Sequence, residues 1–171
     1  MTNFNFDKTH SSLEFTVKHL MVSRVKGTFE DYDVEVSGDI NDLSSLKAKV
    51  TIKADSINTK NADRDGHLKS ADFFSADENP NITFETKSIS EDSITGDLTM
   101  AGTTHEETFD VDFNGVSKNP LNGETVTGFV VNGKIDREKY GVSFNQALET
   151  GGVMIGRDVK FEASAEFSLG E

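Results

Sequence analysis

Val159-Lys160-Phe161-Glu162-Ala163-Ser164-Ala165-Glu166-Phe167-Ser168-Leu169 is the stretch that decides the fold. Apolar residues occupy every second position, with Lys, Glu and Ser between them. Side chains of an extended chain point alternately to opposite faces, so this is a strand with one face in a core and one in water. A helix would scatter the same residues around its circumference. The pattern recurs upstream. Leu13, Phe15, Val17 and His19 alternate with Glu14, Thr16 and Lys18, and Ala48, Val50 and Ile52 with Lys47, Lys49, Thr51 and Lys53. Ile82 with Phe84, and Ile94, Leu98 and Met100 around Gly96, repeat it.

β-Branched residues and Phe mark further strands over 22–36, 107–116 and 125–135. In the first of these, the parity of Val25, Gly27 and Phe29 does not continue into Tyr32, Val34 and Val36, which predicts a bulge near Glu30 and Asp31. Gly38-Asp39, Asn114-Gly115 and Asn122-Gly123 mark turns, and Ser90 to Ser93 closes a hairpin. Two places break the rhythm. Between Asn61 and Ala76 the order Ala62-Asp63-Arg64-Asp65-Gly66-His67-Leu68-Lys69 favours a short helix, and Asp136 is placed to cap one helical turn running to Tyr140. About eight strands with short connections form a meander, which closes as a barrel or doubles as a sandwich.

The 171 residues suit one domain spanning 1–171, with no linker or repeat. Lys and Arg total 17 against 30 Asp and Glu, a formal charge of -13. Nucleic acid and anionic bilayers are therefore repelled over most of the surface, although a small local basic cluster can still meet a phosphate. Cysteine is absent, which removes disulfides, thiolate metal sites and a cysteine nucleophile. No apolar run approaches a membrane span, so stable membrane insertion is not expected. The start, Thr2-Asn3-Phe4-Asn5-Phe6-Asp7, lacks the features of a secretory leader and reads as cytoplasmic.

Asp7-Lys8-Thr9-His10-Ser11, Phe15-Thr16-Val17-Lys18-His19-Leu20 and Gly27-Thr28-Phe29 resemble the opening of the YceI-like family. Ser56-Ile57-Asn58-Thr59, followed by Arg64-Asp65-Gly66-His67-Leu68-Lys69-Ser70-Ala71-Asp72-Phe73-Phe74, is similar to its central signature. Pro80-Asn81-Ile82-Thr83-Phe84, Gly96-Asp97-Leu98-Thr99 and the stretch 135–142 match later blocks in the right order. The resemblance implies an all-β fold: an extended, antiparallel, eight-stranded lipocalin-like barrel with one or two short helical segments. It also implies a tunnel for an isoprenoid lipid, such as a polyprenyl phosphate or a prenylated quinone, and a tendency to pair as a homodimer. Many members carry a secretory signal, from which this sequence departs.

A polyprenyl tail offers only apolar surface, and its transfer from water gains roughly 25 cal/mol for each Å². Phe suits the wall because, unlike Tyr or Trp, it has no polar atom that needs a partner. Leu13, Phe15, Val17, Phe29, Phe73, Phe84 and Phe129 are the expected wall, each also readable as ordinary core. Leu68 belongs to the same expected ligand set through the central signature. His19 shares the parity of Phe15 and Val17 and falls inside or at the mouth, either as a structural histidine or as a head-group contact. Arg64 and His67 in the short helix are the basic candidates for a head group, with Arg64 equally able to pair with Asp65 or Asp63. Arg137 and Tyr140 invite the same two readings, with structure favoured.

No nucleophile elbow, phosphate loop or H-E-x-x-H spacing is present among His10, His19, His67 and His105, so no enzyme, resident metal or cofactor is expected. Asp77, Asn79 and Asn81 mimic the start of a calcium loop, but Ile82 stands where its glycine is required and Ser88 where its glutamate is. The leading expectation is therefore binding, storage or transport of an isoprenoid lipid. The alternatives are an enzyme or stress-response factor acting on a small isoprenoid or quinone, and an interaction module with a filled barrel.

Overall fold

The computed structural model describes residues 2–20, 22–70, 73–142 and 155–170. Ten strands in one antiparallel sheet make up most of it: β1 (Asn3–His19), β2 (Ser23–Phe29), β3 (Tyr32–Asp39), β4 (Asp42–Lys53), β5 (Ile57–Asn58), β6 (Asn81–Ile89), β7 (Ser93–Met100), β8 (Thr103–Lys118), β9 (Thr125–Asp136) and β10 (Ile155–Gly170). The lateral order is β3-β4-β6-β7-β8-β9-β10-β1-β2-β5. One helix, α1 (Ala62–Lys69), follows β5, and a 3-10 turn, Arg137–Tyr140, follows β9.

The count rises from the expected eight to ten for two reasons. The stretch 22–36 is two strands, and Ile57–Asn58 adds a short rung beside Phe29. The parity break at Glu30 and Asp31 is therefore a change of neighbour and not a bulge. β2 lies near one edge of the sheet and β3 forms the other, so this link is where the sheet curls back on itself. Lys53 donates its backbone N–H to Asp31 O at 2.9 Å, and Glu30 donates to Ser56 O at 3.2 Å. Farther along, the Thr2 N–H donates to Gly38 O at 3.0 Å, and Phe6 packs on Tyr32 with ring centroids 5.9 Å apart. These contacts bring β3 against the first half of β1, while β2 pairs with its second half, Glu14 to His19.

Other turns fall as their residues dictate, with two corrections. Gly38-Asp39 lies inside β3, where the pairing to β4 slips between Ser37 and Asp39, and the chain reverses at 40–41. Asn114-Gly115 is no turn; it lies inside β8 as a bulge, with the pairing to β9 slipping between Phe113 and Val116 and Gly115 at φ +75°. Asn-Gly satisfies a left-handed backbone in either setting, so the pair alone does not distinguish them. The hairpin at Ser90 and the cap at Asp136, whose side chain accepts the Glu138 N–H, form as expected. The opening motif proves to be a wide bulge in β1. Asp7 faces Glu166 and Ser12 faces Ser164, so Lys8 to Ser11 loop out. Ser11 holds the bulge by donating to Asp7 O at 2.6 Å and accepting the Glu166 N–H at 3.1 Å.

The dense part of the core lies on β4 and β6 to β8, where Leu46, Ile82, Phe84, Ile89, Ile94, Leu98, Met100, Phe109 and Val111 are buried. One end is stopped by an aromatic cluster in which Phe167, 1% exposed, packs against Phe4, Phe6 and Phe129. The other wall, formed by β1, β2, β9 and β10, is looser.

Candidate functional site

That looseness marks the candidate site. Leu13, Phe15, Val17 and Phe29 point inward by parity, yet each is only partly buried, because the space they face is not filled. A cavity of about 380 Å³ occupies the barrel, within the range of small-molecule sites. A second chamber of about 110 Å³ continues it toward the aromatic end. The two share Leu13, Ala48, Val50, Ile94, Val131 and Ala163 as a common neck. Nearly every surface atom facing either space is carbon.

Along one cross-strand row two adjacent phenylalanines are flanked by glycines, and this keeps the cavity open. Gly27 of β2 pairs with Phe15 of β1, Phe15 with Phe161 of β10, and Phe161 with Gly133 of β9. A Cβ on Gly27 would collide with the Phe15 ring, and one on Gly133 with the rings of Phe109 and Phe161. The rings thus lie flat over glycine backbone, where a side chain would otherwise push them into the lumen. Phe109 and Phe161 meet edge to face at 4.7 Å. In the next row Leu13 pairs with Ala163 and Ala163 with Val131, and the small Ala163 leaves the neck open.

Eleven of the residues proposed from sequence line the main chamber: Leu13, Phe15, Val17, His19, Phe29, Arg64, His67, Leu68, Phe73, Phe84 and Arg137. Phe129 lines the far chamber instead, stacked on Phe113 at 5.1 Å. Tyr140 lines neither. It is 1% exposed, its hydroxyl donates to Glu107 Oε2 at 2.6 Å, and its ring meets His105 edge to face. Burial first, and then the Glu107 carboxylate, push its phenol far above the ordinary range. Sequence reading passed over Val25, Ile57, Met100, Ile135, Ile155 and Val159, which also line the main chamber. The inward parity of each strand carried the signal for most of them.

The two arginines behave differently. Arg137, 4% exposed, donates from Nε to Gly156 O at 2.9 Å, from Nη1 to Val142 O at 2.7 Å and from Nη2 to Ile155 O at 3.3 Å. Burial lowers its pKa, and the charges of Glu138 and Asp136 oppose the shift. It is a staple holding the β9 end to the start of β10. Arg64 donates from Nε to Thr59 Oγ1 at 2.8 Å and from Nη2 to Thr59 O at 2.7 Å. Asp65 accepts from the N–H of Thr59 at 2.9 Å and from its hydroxyl at 2.5 Å. Arg64 and Asp65 therefore both grip Thr59, the last residue of the Ser56-Ile57-Asn58-Thr59 block and not itself among the expected site residues, and form no ion pair with each other among the described residues. Two of the five guanidinium donors of Arg64 are used, and the rest meet no partner among the described residues.

Asn61 caps α1, its side chain accepting the Arg64 N–H at 3.1 Å. His67 packs edge to face on Phe73 at 5.0 Å. Ala71 and Asp72 of the central signature lie outside the described residues. A group with metal-ligand geometry, Asp7, His10 and Glu166, has its ligand atoms within 4.8 Å of one another. It sits on the β1 bulge, outside the cavity, where His10 Nδ1 already meets Asp7 Oδ2 at 2.7 Å. Among the described residues no helix is long and apolar enough to cross a membrane.

Comparison with known proteins agrees with this architecture. A UPF0312 protein of Staphylococcus aureus strain bovine RF122 is 68% identical over the whole of both chains. The crystal structure of the Campylobacter jejuni YCEI protein is 34% identical, covers 100% of both chains and superposes with a TM-score of 0.75. Burkholderia cenocepacia BcnA, at 20% identity, covers 95% of this chain and 99% of its own with a TM-score of 0.79, a likeness of fold. A polyisoprenoid binding domain from Saccharophagus degradans, at 13% identity, covers 98% and 99% with a TM-score of 0.69, again a likeness of fold. With the YceI-like domain model matching residues 4–167, the chain belongs to the YceI-like family.

Proposed function

We propose that the protein is a non-catalytic carrier or store for an isoprenoid lipid, with the tail in the two-chambered cavity and the head group near Arg64 and His67. The observation that carries this reading is an elongated, carbon-lined void of about 380 Å³ with a narrower extension of about 110 Å³. An isoprenoid tail fits it chemically. Each buried CH₂-sized group contributes about 0.8 kcal/mol, so a few isoprene units outweigh the cost of ordering them. The structural neighbour described as a polyisoprenoid binding domain supports the same ligand class. Arg64, oriented by Thr59 with donors to spare, is the side chain equipped to meet a phosphate or a quinone oxygen. Arg137 is not, since all three of its nitrogens serve backbone carbonyls.

The test is native mass spectrometry of gently purified protein, followed by solvent extraction and reloading with a polyprenyl phosphate or a prenylated quinone. A bound mass that extracts as lipid, and stoichiometric reloading, are expected. Phe15→Asp places a carboxylate in the lumen and should abolish loading while circular dichroism stays that of the parent. An empty extract together with failure to reload either probe removes the carrier reading.

A further inference from the structure

The β1–β2 hairpin differs from the rest of this acidic molecule. Its tip exposes Leu20 and Val22 at 41% and 87%. On its outward face Lys18 pairs across with Arg24, and Thr16 is flanked by Lys26 on one side and Lys160 of β10 on the other. All four cations are exposed. None forms an ion pair among the described residues, whereas neighbouring Arg157 is engaged by Asp136 and Glu138, and Lys134 by Asp158. Asp158 and Asp136 stand beside this group on the adjoining β10 and β9, held by Lys134 and Arg157, and along β1 a carboxylate pair follows one outward row farther from the tip, at Glu14 and Glu162, roughly 7 Å along the strands. The hairpin also borders the cavity, because Lys18, His19 and Val25 line it.

We propose that this hairpin docks the protein on an anionic phospholipid bilayer. Leu20 and Val22 enter the interface, and Lys18, Arg24, Lys26 and Lys160 meet the lipid phosphates. The cavity then opens against the membrane in which an apolar ligand resides, and in that respect the inference rests on the carrier reading. The formal charge of -13 does not oppose it. The Debye length is about 8 Å in physiological salt, so an approaching bilayer senses the basic tip, while the acidic body orients the molecule tip-first. Apolar side chains flanked by cations are the pattern of interfacial binding. Nucleic acid offers phosphates but nothing for Leu20 and Val22 to enter. Leu121, 93% exposed at the opposite end, sits between Pro120 and Asn122 without such a group of cations.

Co-sedimentation of the whole chain with vesicles tests this. Vesicles of equal phosphatidylglycerol and phosphatidylcholine should bind the protein, and pure phosphatidylcholine should not. Binding should weaken with salt. Each basic residue near an anionic surface contributes about fivefold to partitioning, so Arg24→Gln with Lys26→Gln should lower it about 25-fold. Val22→Asp should lower it independently. Both changes lie at exposed positions, and loading of a detergent-dispersed prenylated quinone should be unaffected. Equal partitioning onto both vesicle types, or none onto the anionic ones, overturns the docking surface. So does binding of single-stranded DNA that exceeds vesicle binding and is lost in the same double variant. Normal quinone loading without vesicle binding refutes docking and spares the carrier reading; vesicle binding without loading does the reverse.

Discussion

Replacing Ala163 by Leu asks directly whether the barrel is hollow. Ala163 lines both chambers at their neck, paired with Leu13 on one side and Val131 on the other. Leucine adds three carbons. If they enter vacant apolar space, each gains about 0.8 kcal/mol, or about 2.4 kcal/mol together. Fixing the leucine rotamer costs about 0.5–1 kcal/mol. The lipid-free variant should therefore be more stable than the parent by about 1.5 kcal/mol, a rise in Tm of roughly 3–6 °C for a chain of this size. A side chain forced into a filled core does the opposite, costing about 1–3 kcal/mol through displaced rotamers and backbone. The sign of the change thus separates a void from a packed interior. Extraction of lipid must precede the urea titration, because bound ligand stabilises the parent by mass action and would mask the gain. The same leucine closes the passage to the far chamber, so long prenyl chains should load less well while short ones still bind. A destabilised variant that loads every chain length like the parent would refute the reasoning.

Arg137→Met removes the donor serving Val142, Ile155 and Gly156 carbonyls. Urea denaturation should show a loss of roughly 3 kcal/mol, since the buried Val142 carbonyl loses its charged donor; a neutral result would mean that water takes over that bond. The β1 bulge should report on pH. His10 is raised above its ordinary 6.5, chiefly by its hydrogen bond to Asp7 and then by the charges of Asp7 and Glu166. Asp7 is held below 3.8, chiefly by the same hydrogen bond, against a smaller opposing effect of burial. The histidine contribution is complete below pH 6.5 and is lost as pH rises through its higher folded value. The aspartate contribution is present above pH 3.8 and is lost as pH falls through its lower folded value. The bulge is therefore tightest between pH 3.8 and 6.5. Side-chain NMR should place the His10 midpoint above 6.5 and return it toward that value in Asp7→Asn; an unchanged midpoint would exclude Asp7 as the cause.

What the sequence discloses about this molecule follows from how local each determinant is. Period-two alternation is a property of a single strand, so the walls at Leu13, Phe15 and Val17 could be named before their neighbours were known. Strand boundaries at Glu30 and Asp31 could not, because a parity break is the same whether a strand bulges or leaves one partner for another. Asn114-Gly115 misled for a related reason: its backbone preference is local, but whether the chain reverses there depends on β9 continuing alongside. For Tyr140 the sequence favours a structural role over a head-group contact but does not name its partner, because Glu107 lies 33 positions away. The lumen itself is the least local quantity of all. It depends on Gly27 and Gly133 standing opposite Phe15 and Phe161, which is a statement about register across four strands. A one-residue slip would place those glycines on the outer face and turn the rings away. The cavity is thus a consequence of pairing, and a wall residue can be right in identity while the space beside it stays invisible until the sheet is assembled.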